Sequence, residues 1–203
     1  MATKPGKPKQ AEGVLCAIKL PCCRCLDGTA TEIAIDTGVA QWRVTPPGSL
    51  YQLAAVPIPP VPGAWTTLLG PPAVWIGAPG APETVGDYEF ELQFYVPDCL
   101  IPAEIIVNGQ AAADNRADIW LDTNFTGITV PSYDNLGITS FTAGPVTGPG
   151  IHRLRFVVTN DGGPTGLVVR GFIVVRCPRE LEHGTGATAT GAVAAGAGAL
   201  DRA

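Results

Sequence analysis

Residues 113–121 read Ala-Asp-Asn-Arg-Ala-Asp-Ile-Trp-Leu, and residues 151–160 read Ile-His-Arg-Leu-Arg-Phe-Val-Val-Thr-Asn. The second run continues into Asp-Gly-Gly-Pro-Thr-Gly at residues 161–166. Both runs have the character of β-strands, and each has Asp, Asn, Gly or Pro at one end. Asx side chains cap their own turns, and glycine accepts the positive φ that such corners need. The stretch therefore predicts two strands, each bounded by a turn.

The rest of the chain predicts further strands and no long helix. The clearest strand spans residues 88–96, where Tyr, Phe, Leu, Phe and Val alternate with Glu, Glu, Gln and Tyr. The Glu side of this strand is expected to face solvent, and Asn108-Gly109 predicts a hairpin turn. The central strands are predicted at residues 88–96, 117–121, 151–159 and 167–177. Shorter strands are predicted at residues 31–36, 41–44 and 104–107, with pieces at 128–130 and 138–141.

Three motifs in these strands carry a family resemblance. They are Ala-Asp-Asn-x-Ala-x-Ile-x-Leu at residues 113–121, Gly-x-His-x-Leu-x-Phe-x-Val-x-Asn at 150–160, and Gly-Gly-Pro-Thr-Gly-Leu at 162–167. The pattern resembles bacterial galactose-binding-like jelly-roll domains, which are similar to the carbohydrate-binding modules attached to glycosidases and cell-surface proteins. The resemblance covers residues 27 to 177. It implies an all-β fold, a single jelly-roll β-sandwich with extended N- and C-terminal tails.

The length and composition predict one domain with a tail at each end. The chain has 203 residues, and its 25 glycines and 20 prolines favour short strands joined by turns. A basic arm and Cys-rich N-terminal segment is predicted at 1–26, the β-sandwich domain at 27–178, and a Gly/Ala/Thr-rich tail at 179–203. A Gly/Ala/Thr segment buries too little apolar area to fold alone, so we expect it to order only against a neighbour.

Charge narrows the classes of partner. Only 15% of residues are charged and the net charge is −5, which argues against general nucleic-acid binding. No apolar run approaches the ~18 residues of a membrane span. A chain so poor in charge is expected to bury surface against partners, and we predict other copies of itself. The lysines at residues 4, 7 and 9 form a basic arm, either solvated or docked on an acidic neighbouring subunit.

Six cysteines leave three alternatives open. They are Cys16, Cys22, Cys23, Cys25, Cys99 and Cys177. The even number favours disulfides, while free buried thiols and a zinc site of Cys22, Cys25, Cys99 and Cys177 stay open. Because first and last strands lie close in jelly-roll modules of this kind, the resemblance favours a bridge from Cys177 to the cluster at residues 22–25. The start of the chain lacks the apolar region of a classical signal peptide. A cell-surface or extracellular assembly is nevertheless the expected location.

Two groups of residues are candidates for binding. Trp42, Trp65 and Trp75 recur in or beside a proline-rich region between residues 46 and 82, and such tryptophans either stack on sugars or plug the ends of a sandwich. Asp114 and Asn115 are the loop candidates for a glycan. Modules that this chain resembles often hold a structural calcium ion, and aspartates in loops supply hard oxygen donors. The calcium candidates are Asp27, Asp36, Asp114, Asp122 and Asp161; turn capping is the alternative.

The sequence offers no recognised catalytic pattern. The two histidines and three serines do not form a nucleophile motif, and no phosphate-binding glycine loop precedes a helix. We therefore expect a protein that is not an enzyme. The first hypothesis is a structural subunit that self-associates through its sandwich and tails, with the basic arm and the Gly/Ala/Thr segment reaching across subunits. The alternative is a glycan-binding module of the galactose-binding-like class.

Overall fold

The computed structural model describes residues 17–22, 30–59, 65, 69–80, 83–100, 103–132 and 137–176. The predicted basic arm and the predicted Gly/Ala/Thr-rich tail lie outside these residues. So do the candidates Cys16, Cys23, Cys25, Cys177 and Asp27.

The described chain forms two β-sheets that pack face to face, as predicted for a jelly-roll β-sandwich. The strands are β1 (Ile18–Lys19), β2 (Ala30–Ala34), β3 (Arg43–Thr45), β4 (Leu53–Ala54), β5 (Val56–Pro57), β6 (Ile76–Gly77), β7 (Gly86–Val96), β8 (Glu104–Asp114), β9 (Arg116–Leu121), β10 (Asn124–Val130), β11 (Thr139–Ala143), β12 (Gly150–Asn160) and β13 (Gly166–Arg176). Sheet A has the strand order β10-β9-β12-β7-β3-β4, and β1 also pairs with β7. Sheet B has the order β11-β8-β13-β6-β5, and β2 pairs with β13. Neighbouring strands run antiparallel except for the two-residue β1.

Each sheet is built on one pair of eleven-residue strands. In sheet A, β7 and β12 pair along their whole length, from Gly86↔Asn160 to Val96↔Gly150. In sheet B, β8 and β13 do the same, from Glu104↔Arg176 to Asp114↔Gly166. The short strands fill the remaining edges of β7 and β13. Three of the predicted central strands, at residues 88–96, 151–159 and 167–177, correspond to β7, β12 and β13. The fourth, at residues 117–121, is β9, which pairs with β12, and the long strand β8 was predicted only as a shorter strand at residues 104–107.

The core lies between the sheets and follows the predicted alternation. On β7 the side chains of Tyr88, Phe90, Leu92, Phe94 and Val96 are fully buried. The other long strands of both sheets, together with β9, add buried apolar side chains that alternate along each strand. These are Ile105, Val107, Ala111 and Ala113 on β8, Ala117, Ile119 and Leu121 on β9, Leu154, Phe156 and Val158 on β12, and Leu167, Val169, Ile173 and Val175 on β13.

The predicted hairpin at Asn108-Gly109 is wrong. Both residues lie inside β8, opposite Phe172 and Gly171 of β13. Gly109 is required by packing, because a Cβ there would lie 2.8 Å from both the Phe141 ring and the Arg170 carbonyl oxygen. A Cβ on Gly171 would lie 2.5 Å from the Asn108 carbonyl oxygen. The Asn-Gly pair thus reflects a close approach of neighbouring strands, which sequence alone does not distinguish from a turn.

Residues 17–22, which the sequence assigns to the N-terminal segment, pack on the sandwich. Leu20 is in the core, and its N–H donates to the carbonyl of Tyr95 at 3.1 Å. A disulfide joins Cys22 to Cys99, across a sequence separation of 77 residues. Cys22 is therefore not the partner of Cys177, and neither bonded sulfur is a thiolate that could bind zinc.

A second apolar cluster lies on the outer face of sheet B. Here Ala112 of β8 and Val168 of β13 point away from the main core, and Trp65 and Trp75 cover them. The two indole rings stack with centroids 4.6 Å apart. We call this set the tryptophan cover. It buries the part of the outer face of sheet B around Ala112 and Val168.

Candidate functional site at the β9–β10 turn

The turn between β9 and β10 is fixed to β12 by Asp122. Two residues, Asp122 and Thr123, connect the strands, and Asp122 adopts φ 55°, a conformation that aspartate tolerates better than most residues. Its N–H donates to the Arg153 carbonyl at 2.8 Å, and its Oδ1 accepts the Arg153 N–H at 2.9 Å. Its carbonyl accepts from an Arg155 terminal nitrogen at 2.6 Å. The turn is therefore held in one position relative to sheet A.

His152 connects this turn to the segment before β12. Its ring is buried and stacks on Phe94. Nδ1 lies 2.9 Å from Asp122 Oδ2, and Nε2 lies 3.1 Å from the Gly148 carbonyl oxygen. One buried side chain thus spans from the turn to residue 148.

Between these two segments lies an open cleft of about 290 Å³, which we call the polar cleft. Its lining combines one carboxylate, one amide and several hydroxyls with an aromatic ring. The contributing side chains are Asp122, Asn124, Phe125, Thr126, Thr142 and Thr147. Gly144 lies in the opposite wall. Its φ is 124°, and a Cβ at this position would lie 3.2 Å from the Ile105 carbonyl oxygen, so a larger residue would not fit there without strain.

The aromatic part of the site is a pair of rings on adjacent strands. Phe125 of β10 pairs with Trp120 of β9, and their ring centroids are 5.4 Å apart. Phe125 is 46% exposed, and Trp120 is less exposed than Phe125. The Arg155 guanidinium lies 5.8 Å from the centroid of the Trp120 ring. Phe125 therefore contributes an exposed aromatic ring to the lining of the polar cleft. Trp120 lies beside it on the adjacent strand and packs against its ring.

A second cleft of about 280 Å³ shares Asp122 with the first. It is lined by Asp122, Thr123, Ile151, Arg153 and Arg155, and we call it the arginine cleft. Both arginines point outward from β12, since Leu154 and Phe156 between and beside them point into the core. The two clefts meet at the β9–β10 turn.

The tryptophan and loop candidates predicted from sequence lie elsewhere. Trp42, Trp65 and Trp75 are each less than 5% exposed, so they form part of the interior and no open platform. Trp42 packs edge-on against Phe156, and Trp65 donates its indole N–H to Asp114 Oδ2 at 2.8 Å. Asn115 Oδ1 accepts the Asp161 N–H at 2.8 Å and so joins the β8–β9 connection to the turn after β12. Each of these side chains therefore makes contacts within the protein.

The calcium candidates do not converge on a common ion. Asp36 Oδ1 accepts the Gly171 N–H at 3.0 Å, and Asp161 pairs with Arg116 at 3.0 Å. Asp114 binds Trp65, and Asp122 binds β12 and His152. Among the described residues no group of three or more His, Cys, Asp or Glu side chains is placed to hold a metal ion. The four described aspartates therefore do not fit a single calcium site.

Sequence reasoning missed most residues of the site. Of the predicted residues, Asp122 lines both clefts, while Asn124, Phe125, Arg153 and Arg155 were not singled out. A usable signal exists in β12, where arginines alternate with core residues and so must face outward. Glu91, expected on a solvent face, is 5% exposed; its Oε1 accepts from Gln52 at 3.0 Å and from Gln93 at 2.7 Å. Neighbouring polar side chains on the outer face of sheet A cover it.

Within the described part of the chain, no helix is long and apolar enough to cross a membrane. No protein-family model matches the chain, and no curated protein matches it.

Solved structures with a similar arrangement include both enzymes and binding modules. A Ruminococcus gnavus β-glucuronidase has a TM-score of 0.44 at 11% identity, covering 74% of this chain and 29% of its own. The CBM36-1 domain of a multidomain xylanase from the hindgut metagenome of Trinervitermes trinervoides has a TM-score of 0.36 at 10% identity, covering 73% and 98%. CBM35 from Paenibacillus barcinonensis has a TM-score of 0.36 at 18% identity, covering 72% and 98%. The chain spans less than a third of the glucuronidase. The predicted all-β sandwich is confirmed by the two sheets of the structure itself.

Proposed function

We propose that this protein is a non-enzymatic glycan-binding module whose ligand occupies the polar cleft. The observation that carries the proposal is the lining of that cleft, in which a half-exposed phenylalanine lies among amide, hydroxyl and carboxylate groups. A sugar ring has an apolar face and a rim of hydroxyls that both donate and accept hydrogen bonds. Phe125 suits the first, and Asn124 and Thr142 suit the second.

The size and support of the cleft fit the same ligand. Its volume of about 290 Å³ is at the lower end of small-molecule sites, which favours one or two sugar units of a longer glycan. Asp122 and His152 hold the β9–β10 turn through bonds to β12 and to Gly148. A site whose walls are fixed before binding loses less entropy when the ligand arrives.

The test is a glycan array followed by calorimetry with variants of Phe125. Phe125→Ala removes the aromatic surface and should weaken binding at least about tenfold, which corresponds to about 1.4 kcal/mol. Phe172→Ala is the matched control, because Phe172 is 39% exposed on the outer face of sheet B. It should bind as the parent does. If no saccharide binds, or if both variants lose affinity equally, the proposal fails.

The Cys22–Cys99 disulfide supports a location outside the reducing cytosol, because such bonds persist in oxidising compartments. We propose a location at the cell surface or in the extracellular space, which this disulfide supports. Labelling of free thiols on protein taken directly from its source checks this placement. Cys22 and Cys99 should be unreactive until a reductant is added.

A second candidate function, the self-associating structural subunit, rests on one exposed apolar segment. Leu50 is 93% exposed and Tyr51 is 76% exposed, and both precede β4 at the edge of sheet A. An edge strand has unpaired backbone groups, and apolar side chains beside it favour an added chain. Light scattering of the parent protein should then show particles larger than a single chain. The double variant Leu50→Ser, Tyr51→Ser should be monomeric. A monomeric parent would contradict this candidate.

A further inference from the structure

We propose that the glycan is acidic, and that the arginine cleft binds its carboxylate or sulfate group while the neutral part of the same molecule occupies the polar cleft. This inference rests on the proposed function and specifies the class of ligand. The two clefts share Asp122, so one saccharide lying across the β9–β10 turn contacts both.

Arg153 is the residue available for the anion. Its side chain is 57% exposed, and its described ion-pair contact is through Nε, which lies 3.8 Å from Glu91 Oε2. That contact leaves the two terminal nitrogens to the cleft. A guanidinium donates two parallel hydrogen bonds to a carboxylate or to a sulfate, and the planar fork is well matched to either.

Arg155 is held in place and forms the back of the same cleft. One terminal nitrogen donates to the Asp122 carbonyl at 2.6 Å, and the other lies 3.4 Å from Glu89 Oε2. The Trp120 ring lies beneath the guanidinium. Arg155 is 22% exposed as a side chain, so it contributes charge to the cleft from a fixed position.

The acidic side chains nearby are already engaged. Both oxygens of Asp122 accept hydrogen bonds, from the Arg153 N–H and from His152. Glu91 is buried beneath the surface, with Oε1 bound by Gln52 and Gln93. Glu89 faces Arg155. A ligand entering the cleft therefore meets hydrogen-bond donors first, although the chain as a whole is acidic.

The experiment compares saccharides that differ only in charge. One pair is a tetragalacturonate and its methyl ester, and the other is a sulfated galactan oligosaccharide and its desulfated form. Calorimetry of the parent should show the charged member of at least one pair bound about tenfold to a hundredfold more tightly, the range expected for hydrogen bonds to a charged group. Which pair shows the preference identifies the anion as carboxylate or sulfate.

Variants assign that preference to Arg153. Arg153→Gln should reduce the preference to less than threefold. Arg153→Lys retains a charge but loses the fork, so it should retain part of the preference. Arg176→Gln is the matched control, because Arg176 is 54% exposed on sheet B and pairs with Glu104. It should keep the full preference.

The outcomes separate the two proposals. If neutral members bind and charged members bind no better, the acidic ligand is refuted while the glycan-binding function stands. If Arg176→Gln lowers the preference as much as Arg153→Gln does, general electrostatic attraction explains it and the inference is overturned. If no member of either pair binds, and the wider array shows no binding, both proposals fail together.

Discussion

The outer faces of the two sheets have opposite characters. On sheet B, small apolar side chains at Ala112 and Val168 face outward, and the tryptophan cover lies on them. On sheet A, outward positions carry charged and aromatic side chains, among them Glu89, Arg155 and Trp120, which contact one another and stay partly open to solvent. The tryptophan cover therefore buries part of the outer face of sheet B, while the outer face of sheet A keeps charged and aromatic side chains partly open to solvent.

Under the proposed function, the binding site lies at sheet A and its margin, outside the core that the two sheets share. The sugar-stacking function that sequence would give to Trp65 and Trp75 is incompatible with their burial on sheet B. Phe125 instead lies at the margin of sheet A, on an edge strand that a turn fixes to β12. The following experiments change residues at sheet A, at sheet B or at the predicted calcium ligands, and they compare the effects on stability and on glycan affinity.

The largest effect is expected from the covalent link at sheet A. Replacing both Cys22 and Cys99 by serine should lower the free energy of unfolding by about 4–5 kcal/mol, because the bridge closes a loop of 77 residues in the unfolded chain. Urea denaturation measures this loss. In the presence of a strong reductant the parent and the double variant should unfold together. A loss below about 1 kcal/mol without reductant would contradict this prediction.

Trp75→Ala should remove the centre of the tryptophan cover and cost about 3–5 kcal/mol of stability, the usual range for a buried tryptophan. Glycan affinity at sheet A should be unchanged in the folded fraction. Trp120→Ala should give the opposite pattern, with a smaller loss of stability and weaker binding, because Trp120 supports Phe125 and Arg155. Chemical denaturation and calorimetry together report both quantities. If the two variants lose affinity alike, the separation of the faces is wrong.

Trp65→Phe tests the hydrogen bond that holds the cover to sheet B. It keeps most of the ring and removes the N–H that donates to Asp114 Oδ2. Hydrogen bonds to charged groups contribute about 1.5–3 kcal/mol, so a loss of that size is expected in urea denaturation. Phe172→Trp, an exposed change on the same sheet, is the control and should leave the free energy of unfolding within about 0.5 kcal/mol.

The smallest effect is expected from metal removal. The described aspartates are bound by backbone N–H groups, His152, Arg116 and Trp65, and these contacts need no ion. Adding a chelator should therefore leave the melting temperature and the glycan affinity unchanged. A melting temperature that falls by several degrees with the chelator and recovers when calcium is added would show that an ion is bound. That result would support the calcium prediction.

The core strands could be predicted because burial on one face imposes a period of two. Tyr88 to Val96 shows that period without interruption, and the structure buries those residues as expected. Asn108-Gly109 could not be assigned correctly, since the sequence does not show that Phe141 and β13 approach Gly109. A tight turn and a close approach of two strands both favour glycine, so the Asn-Gly pair alone does not distinguish them.

The site was harder to predict than the core, because its residues come from segments that only the fold brings together. Phe125, Thr142 and Arg153 are on β10, β11 and β12, and no local pattern relates them. Asp122 was identified as a loop oxygen donor, yet its bonds to β12 and His152 depend on tertiary structure. Outward-facing arginines and an aromatic on a short strand were the available signals.

Backbone amide NMR mapping tests the central claim most directly. The protein is titrated with the saccharide that binds most tightly on the array, and the shift of each amide is recorded. We predict the largest changes at residues 121–126, 142–147 and 151–155, with no change at Ala112 and Val168 beneath the tryptophan cover. Shifts concentrated around Trp65, Trp75 and β13, with the β9–β10 turn unaffected, would contradict the account.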